Sequence, residues 1–279
     1  MPKRLAFLGP PGTHTEQASV GYDAGASLLP CGSIPLVAAA VDSGEADEGV
    51  VPIENSVGGS VSVTLDLLIH ESALFIRHEI VLPIQHFLVA RPGTRLEDVD
   101  VIFSKDQALE QCRRYLAEHF DGAREVASMS TAAAVEEMLG GEGRAAAIAT
   151  ERAAELYGAE VLARGIEDYA NNRTRFVVLA SSDHPATGDD KTSICFSFSG
   201  DDPGVLHAAL GEFASRNINL TKIESRPTRE ALGEYIFLVD LQGHREDEAV
   251  KSALNGVQKA TALFKVFGSY PRYTGAAHA

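Results

Sequence analysis

The polar stretch Ser181-Ser-Asp-His-Pro-Ala-Thr-Gly-Asp-Asp190 constrains the fold most, because hydrophobic patterning differs on its two sides. Before it, short apolar runs alternate with helix-period segments. Leu5–Leu8, Gly49–Ile53, one or two runs within Glu79–Ala90, and Ala145–Ala149 are predicted strands. Helices are predicted from near Glu16, over Thr64–Ser72 with Leu65, Leu68 and Ile69 on one face, and over Asp106–His119, Thr131–Leu139 and Glu151–Leu156. That alternation predicts an α/β unit with a largely parallel sheet.

After the polar stretch, Ile194, Phe196 and Phe198 alternate as in a half-buried strand. Asp202-Pro203 is read as an N-cap followed by the first helical residue, with Leu206, Leu210 and Phe213 on one helix face. Leu220–Glu224 and Glu234–Leu241 are predicted strands. Val250, Leu254, Val257 and Thr261 form a second helical stripe, and Phe264–Phe267 a last strand. The order β-α-β-β-α-β is the ferredoxin-like split motif. At 279 residues the chain has room for two such domains.

Composition narrows the function. No segment reaches the apolar length of a membrane span, and the run Leu5–Leu8 is too short for a signal-peptide core. Cys31, Cys112 and Cys195 are odd in number and far apart, which predicts a reducing, cytoplasmic setting without a cysteine-built metal site. Nine histidines give no HExxH pairing, so no metal is expected. A net charge of −15 argues against nucleic acid and anionic membranes as partners. An acidic chain that binds an anion must build a local positive site from arginine or helix N-termini.

Four motifs carry chemistry. Gly9-Pro-Pro-Gly-Thr-His-Thr15 lacks the Gly-Lys pair of a phosphate loop, leaving a glycine loop that leads into a helix N-terminus. Pro52-Ile-Glu-Asn-Ser-Val-Gly-Gly-Ser60 sets Glu54, Asn55 and Ser56 at a strand end, and Gly58-Gly59 permits close approach to the backbone. Gln107 and Gln111 share a helix face beside Ser104. Asn171-Asn-Arg-Thr-Arg-Phe176 runs into an apolar strand, with Thr174 and Arg175 as reactive candidates and Arg175 able to clamp a carboxylate. Taken alone, the glycine loop reads better as a structural turn, Gln107 and Gln111 as an exposed polar face, and Thr174 and Arg175 as surface strand positions, whereas for Pro52–Ser60 the turn and the functional reading are even.

Taken together and in order, these motifs, with Ser130-Thr-Ala-Ala-Ala and Ala146-Ala-Ile-Ala-Thr, resemble the prephenate dehydratases of phenylalanine biosynthesis over nearly the whole chain. Gly204-Val-Leu-His207 and Glu224-Ser-Arg-Pro227 resemble the effector motifs of the attached ACT domain. The resemblance implies a two-lobed catalytic domain, like type II periplasmic binding proteins, over residues 1–182 (lobes of about 1–78 with 162–182, and 79–161), a linker at 183–191 and an ACT domain at 192–274. Thr174, Glu54, Asn55, Ser104 and Gln111 are the implied catalytic residues. Thr13, Ser56, Ser130, Thr131, Arg175 and Phe176 are the implied substrate contacts. Gly204, Val205, Leu206, His207, Glu224, Ser225, Arg226 and Pro227 would hold phenylalanine, and a homotetramer or dimer with paired ACT domains is implied. No cofactor is implied. The family often has His at Lys105 and Ala at Val205; Lys105 would add positive charge near the cleft, and Val205 would narrow the effector pocket. Arogenate dehydratase and a non-catalytic carboxylate sensor are the alternative functions.

Overall fold

The computed structural model describes residues 2–120, 122–141, 143–200, 202–228 and 234–275. They fall into two compact units, Met1–Ser62 with Ile80–Phe176, and Val63–Glu79 with Val177–Ala277.

In the first unit the opening apolar run forms strand Arg4–Leu8, flanked in parallel by Ser27–Cys31 and Glu48–Asn55. Within this unit the sheet runs in the order Ser27–Cys31, Arg4–Leu8, Glu48–Asn55 and then the strand that begins at Arg173, with the short Gly59–Ser60 strand folded back on Glu48–Asn55. Helix Ile34–Asp42, capped by Ser33 with a proline in its first turn, packs on this sheet. A Cβ at Gly49 would sit 2.7 Å from Val37 Cγ1, so glycine permits this close helix–strand approach.

The second sheet is ordered Glu160–Arg164, Phe87–Ala90, Ala145–Ala149, Val101–Ser104, Arg124–Ala127. Its two faces alternate along the strands: Leu88, Ile102 and Ile148 enter one core, while Phe87, Val89 and Ala147 enter the other. It is mixed rather than largely parallel, because Phe87–Ala90 pairs antiparallel with both of its neighbours.

Three predicted helices change shape. Asp106–His119 is broken at Cys112 into Asp106–Gln111 and Arg113–His119. The predicted Thr64–Ser72 helix begins at Ser62 and widens into a π turn over Leu67–Glu71. Asp202-Pro203 does not start its helix. Gly204, at φ 96°, has a left-handed conformation that ends the preceding turn, so the helix is Val205–Ala214.

In the second unit, strands Asp190–Ser197, Leu220–Pro227, Tyr235–Gln242 and Leu263–Pro271 form an antiparallel sheet, with helices Val205–Ala214 and Glu248–Ala260 on one face. This is the expected βαββαβ arrangement. Asp190, assigned by sequence to the polar stretch, is already in strand.

Candidate active site

The site is organised by one carboxamide. Strand Glu48–Asn55 ends at Asn55, whose Oδ1 accepts from the backbone N–H groups of Val57 (3.0 Å) and Gly58 (2.7 Å). A backbone N–H can only donate, so the opposite end of the carboxamide must be Nδ2. It reaches Asn172 Oδ1 at 2.8 Å, Arg173 O at 3.2 Å and Thr174 Oγ1 at 2.9 Å. Asn172 Nδ2 donates to Gln111 Oε1 (3.0 Å), and Gln111 Nε2 returns to Asn55 Oδ1 (3.5 Å). Asn55, Gln111 and Asn172 are all buried, so each satisfied polar contact counts for more than it would in water. The Thr174 hydroxyl is an acceptor in this ring, which leaves its own hydrogen to point elsewhere.

Gln111 owes its position to the broken helix. Its carbonyl accepts from Asp168 N (2.7 Å), and the Asp168 carboxylate accepts from Arg114 N at 3.1 Å, capping the following helix. Arg175 Nη1 lies 3.4 Å from Glu54 Oε2, an ion pair that orients the guanidinium and offsets part of its charge. Ser56 Oγ accepts from Arg173 N at 2.9 Å and ties the Glu54–Ser60 turn to the Asn171–Phe176 segment. What approaches Gly58 closely is Gln107: a Cβ there would lie 2.5 Å from its Nε2.

The other predicted site residues are used locally. Thr13 Oγ1 caps its helix, accepting from Glu16 N and donating to Pro10 O. The helix N-terminus expected to bind a carboxylate receives the chain's own Glu16, which accepts from Gly12 N at 2.6 Å. Ser104 is fully buried and donates to Ile148 O. Ser130 caps the helix that begins at Thr131, and Phe176 is buried. Lys105 is exposed.

Asn172, His14 and His86 were not singled out from the sequence. His86 Nε2 meets Gln111 Oε1 at 2.9 Å, and the His14 ring stands edge-on to His86 with centroids 6.0 Å apart. Burial, then the neighbouring His86, pulls the His14 pKa down to about 4, against a hydrogen bond with the Gln17 side chain that acts the other way. Burial also lowers that of His86, against the opposing effects of Gln111 and Glu167. A cavity of about 480 Å³ opens beside His14, Gln85 and Thr150. Its Glu16, Glu151 and Glu155 outnumber Arg152, which makes it a poor seat for an anion. Among the described residues, no group of three or more His, Cys, Asp or Glu side chains is arranged to hold a metal.

In the second unit, Gly204 leads into the first turn of helix Val205–Ala214, where Val205 and Leu206 are half-buried and His207 is exposed. Glu224, Ser225, Arg226 and Pro227 lie on strand Leu220–Pro227. There Glu224 pairs with Lys222 (3.2 Å) and Arg226 with Asp66 (3.2 Å).

A two-sheet α/β unit with a buried Asn–Gln cluster beside Thr174, joined to a βαββαβ unit, has the layout of a small-molecule enzyme with an attached regulatory unit. A family model described as prephenate dehydratase matches residues 5–184, and one described as ACT domain matches residues 196–258. The chain belongs to the prephenate dehydratase family. It is 43% identical to a bifunctional chorismate mutase/prephenate dehydratase of Aquifex aeolicus over 96% of this chain and 74% of that one. It is 41% identical to a prephenate dehydratase of Mycobacterium sp. (strain KMS) over 98% and 90% of the respective chains. A solved prephenate dehydratase from Arthrobacter aurescens in complex with L-Phe is 38% identical, with a TM-score of 0.90 over 99% of this chain and 92% of that one. A quorum-quenching acylase, GqqA, shares the fold as well, at 32% identity and a TM-score of 0.85 over 98% and 99%.

Proposed function

We propose that this enzyme converts prephenate to phenylpyruvate with Thr174 serving the departing hydroxyl. The observation that carries this assignment is the Asn55 Nδ2 to Thr174 Oγ1 hydrogen bond of 2.9 Å, which polarises the hydroxyl and leaves its proton available to donate. Prephenate is a dianion. Its ring carboxylate leaves as carbon dioxide, the C–C electron pair enters the ring, and the ring hydroxyl departs with one added proton as water. Aromatisation drives the reaction, so no electron sink is required. The barrier lies in expelling hydroxide, a poor leaving group that needs a proton or a strong hydrogen bond.

Arg175, oriented by Glu54, receives a carboxylate, and the remaining hydrogen of Gln111 Nε2 is positioned for substrate or for developing charge. Ser56 holds the two active-site segments together. Thr13, Ser104, Ser130 and Thr131 act at one remove, by fixing the loops and helix starts around the cleft. The −15 charge supports this division of labour: one half-buried arginine and a set of neutral donors suit an anion better than the acidic cavity near His14.

Residues 1–182 form the catalytic domain, 183–191 the linker and 192–274 the ACT domain in this reading. Phenylalanine binds at Gly204–His207 and Glu224–Pro227, where ACT domains pair within a cytoplasmic homotetramer. The Phe-bound Arthrobacter relative supports the choice of effector.

The test is an ultraviolet assay for phenylpyruvate from prephenate, run beside arogenate and an N-acyl amide. Prephenate turnover that falls sharply in Thr174→Ala is the expected result. Untouched prephenate with cleavage of the amide would replace this reading by the acylase one.

A further inference from the structure

The polarity of the hydrogen-bond ring can be followed outward from its fixed start. Val57 and Gly58 donate to Asn55 Oδ1, so Asn55 Nδ2 donates to Asn172 Oδ1. Asn172 Nδ2 then donates to Gln111 Oε1, so the group that meets the same oxygen from His86 must also be a donor. Two backbone amides thereby select the Nε2–H tautomer of a histidine in another strand connection, and His86 Nδ1 is left as a bare acceptor.

We infer that His86 is a positioning residue of the dehydratase site: by donating from Nε2 it holds the Gln111 carboxamide with Oε1 inward and Nε2 toward Asn55 and the substrate. Without that donor, Gln111 Oε1 keeps Asn172 alone, and a flipped amide becomes accessible. A flip would set its NH₂ against Asn172 Nδ2, and would withdraw the donor from Asn55 and from the cleft.

Three features support an imidazole here for function rather than packing. First, the backbone of His86 is already fixed, its N–H donating to Glu167 Oε2 (2.9 Å) and its carbonyl accepting from Ile166 N (3.1 Å), so the side chain is not needed to anchor the strand. Second, the site keeps an orphan atom: His86 Nδ1 is buried without a hydrogen-bond partner among the described residues. An apolar ring would fill the same space without that penalty. Third, His86 is 3% exposed, so a second proton on its ring would be desolvated. Glu167 opposes this from the neighbouring segment, and burial outweighs it. The ring is held neutral, in the one tautomer that Gln111 requires.

This inference rests on the prephenate reading only for its kinetic readout. His86→Leu and His86→Gln are compared in the wild-type and Gln111→Met backgrounds, with kcat/KM for prephenate and Tm measured for each. His86→Leu should lower kcat/KM roughly 10- to 100-fold without lowering Tm, and His86→Gln, which restores a donor, should recover most of it. In Gln111→Met the same His86→Leu change should cost less than about twofold, because its effect passes through the lost carboxamide. A full-sized loss in that background, or no loss in the wild type, overturns the inference. The imidazole tautomer, read by NMR of ¹⁵N-labelled histidine, decides independently of any activity: Nδ1–H at His86 would also overturn it.

Discussion

Thr174 is the residue whose loss should reach the chemistry most directly. Its hydroxyl is held by Asn55 and is not part of the hydrophobic core. Thr174→Ala is expected to lower kcat by about 100-fold or more, the scale of losing one preorganised donor, with Tm nearly unchanged. Thr174→Ser, which keeps the hydroxyl, should retain most of the rate. Residue-scale burial also sets an acid limit on stability. His14 titrates near 6.5 when exposed and at about 4 in the fold. Between those values the unfolded chain binds more protons than the folded one, so stability is complete above about pH 6.5 and declines as pH falls toward 4. The decline attributable to His14 amounts to about 3 kcal/mol. His86 adds to it in the same direction. Chemical denaturation of the wild type and His14→Phe from pH 7 to 4 should show a shallower slope in the variant.

Elements act here mainly through their ends and interruptions. The apolar spacing of residues 106–119 reads as one helix, and nothing local forbids it. Asp168 interrupts it from a distant segment, taking the Gln111 carbonyl with its N–H and capping Arg114 with its carboxylate. Asp168→Ala should therefore destabilise by about 1 kcal/mol through the lost cap, and lower kcat because Gln111 is no longer held at a helix break. A stability loss with unchanged kcat would mean that the break persists without the cap. In the second unit the π turn Leu67–Glu71 ends against Lys265, whose Nζ donates to Leu68 O (2.5 Å) and Ser72 O (2.7 Å). Lys265→Met should destabilise this unit by about 1–3 kcal/mol, because those carbonyls lose a charged donor in a half-buried place. Thermal unfolding followed by circular dichroism checks the value.

At the scale of the molecule, backbone contacts limit what the second unit tolerates. Gly268, at φ 147°, lies against strand Phe75–Pro83, where an added Cβ would stand 2.2 Å from Ile76 O. Gly268→Ala is expected to cost several kcal/mol, at about the level where a small domain is lost, since backbone cannot move aside as a side chain can. Soluble expression and Tm of this variant test it. L-Phenylalanine should raise Tm and lower prephenate turnover together, because a ligand shifts only an equilibrium whose states it binds unequally. The two patterning regimes on either side of Ser181–Asp190 and the strand-end placement of Glu54–Ser56 and Thr174 were determined by the sequence alone. Each depends on side-chain period or turn chemistry within a few neighbouring residues. The Asn55–Asn172, Gln111–Asn172 and His86–Gln111 contacts join residues 117, 61 and 25 positions apart. Only tertiary structure decided those, along with the helix break at Cys112 and the Arg226–Asp66 pair. Hydrogen-bond polarity depends on which donor faces which acceptor, and strand register and packing fix that only after the chain has closed on itself.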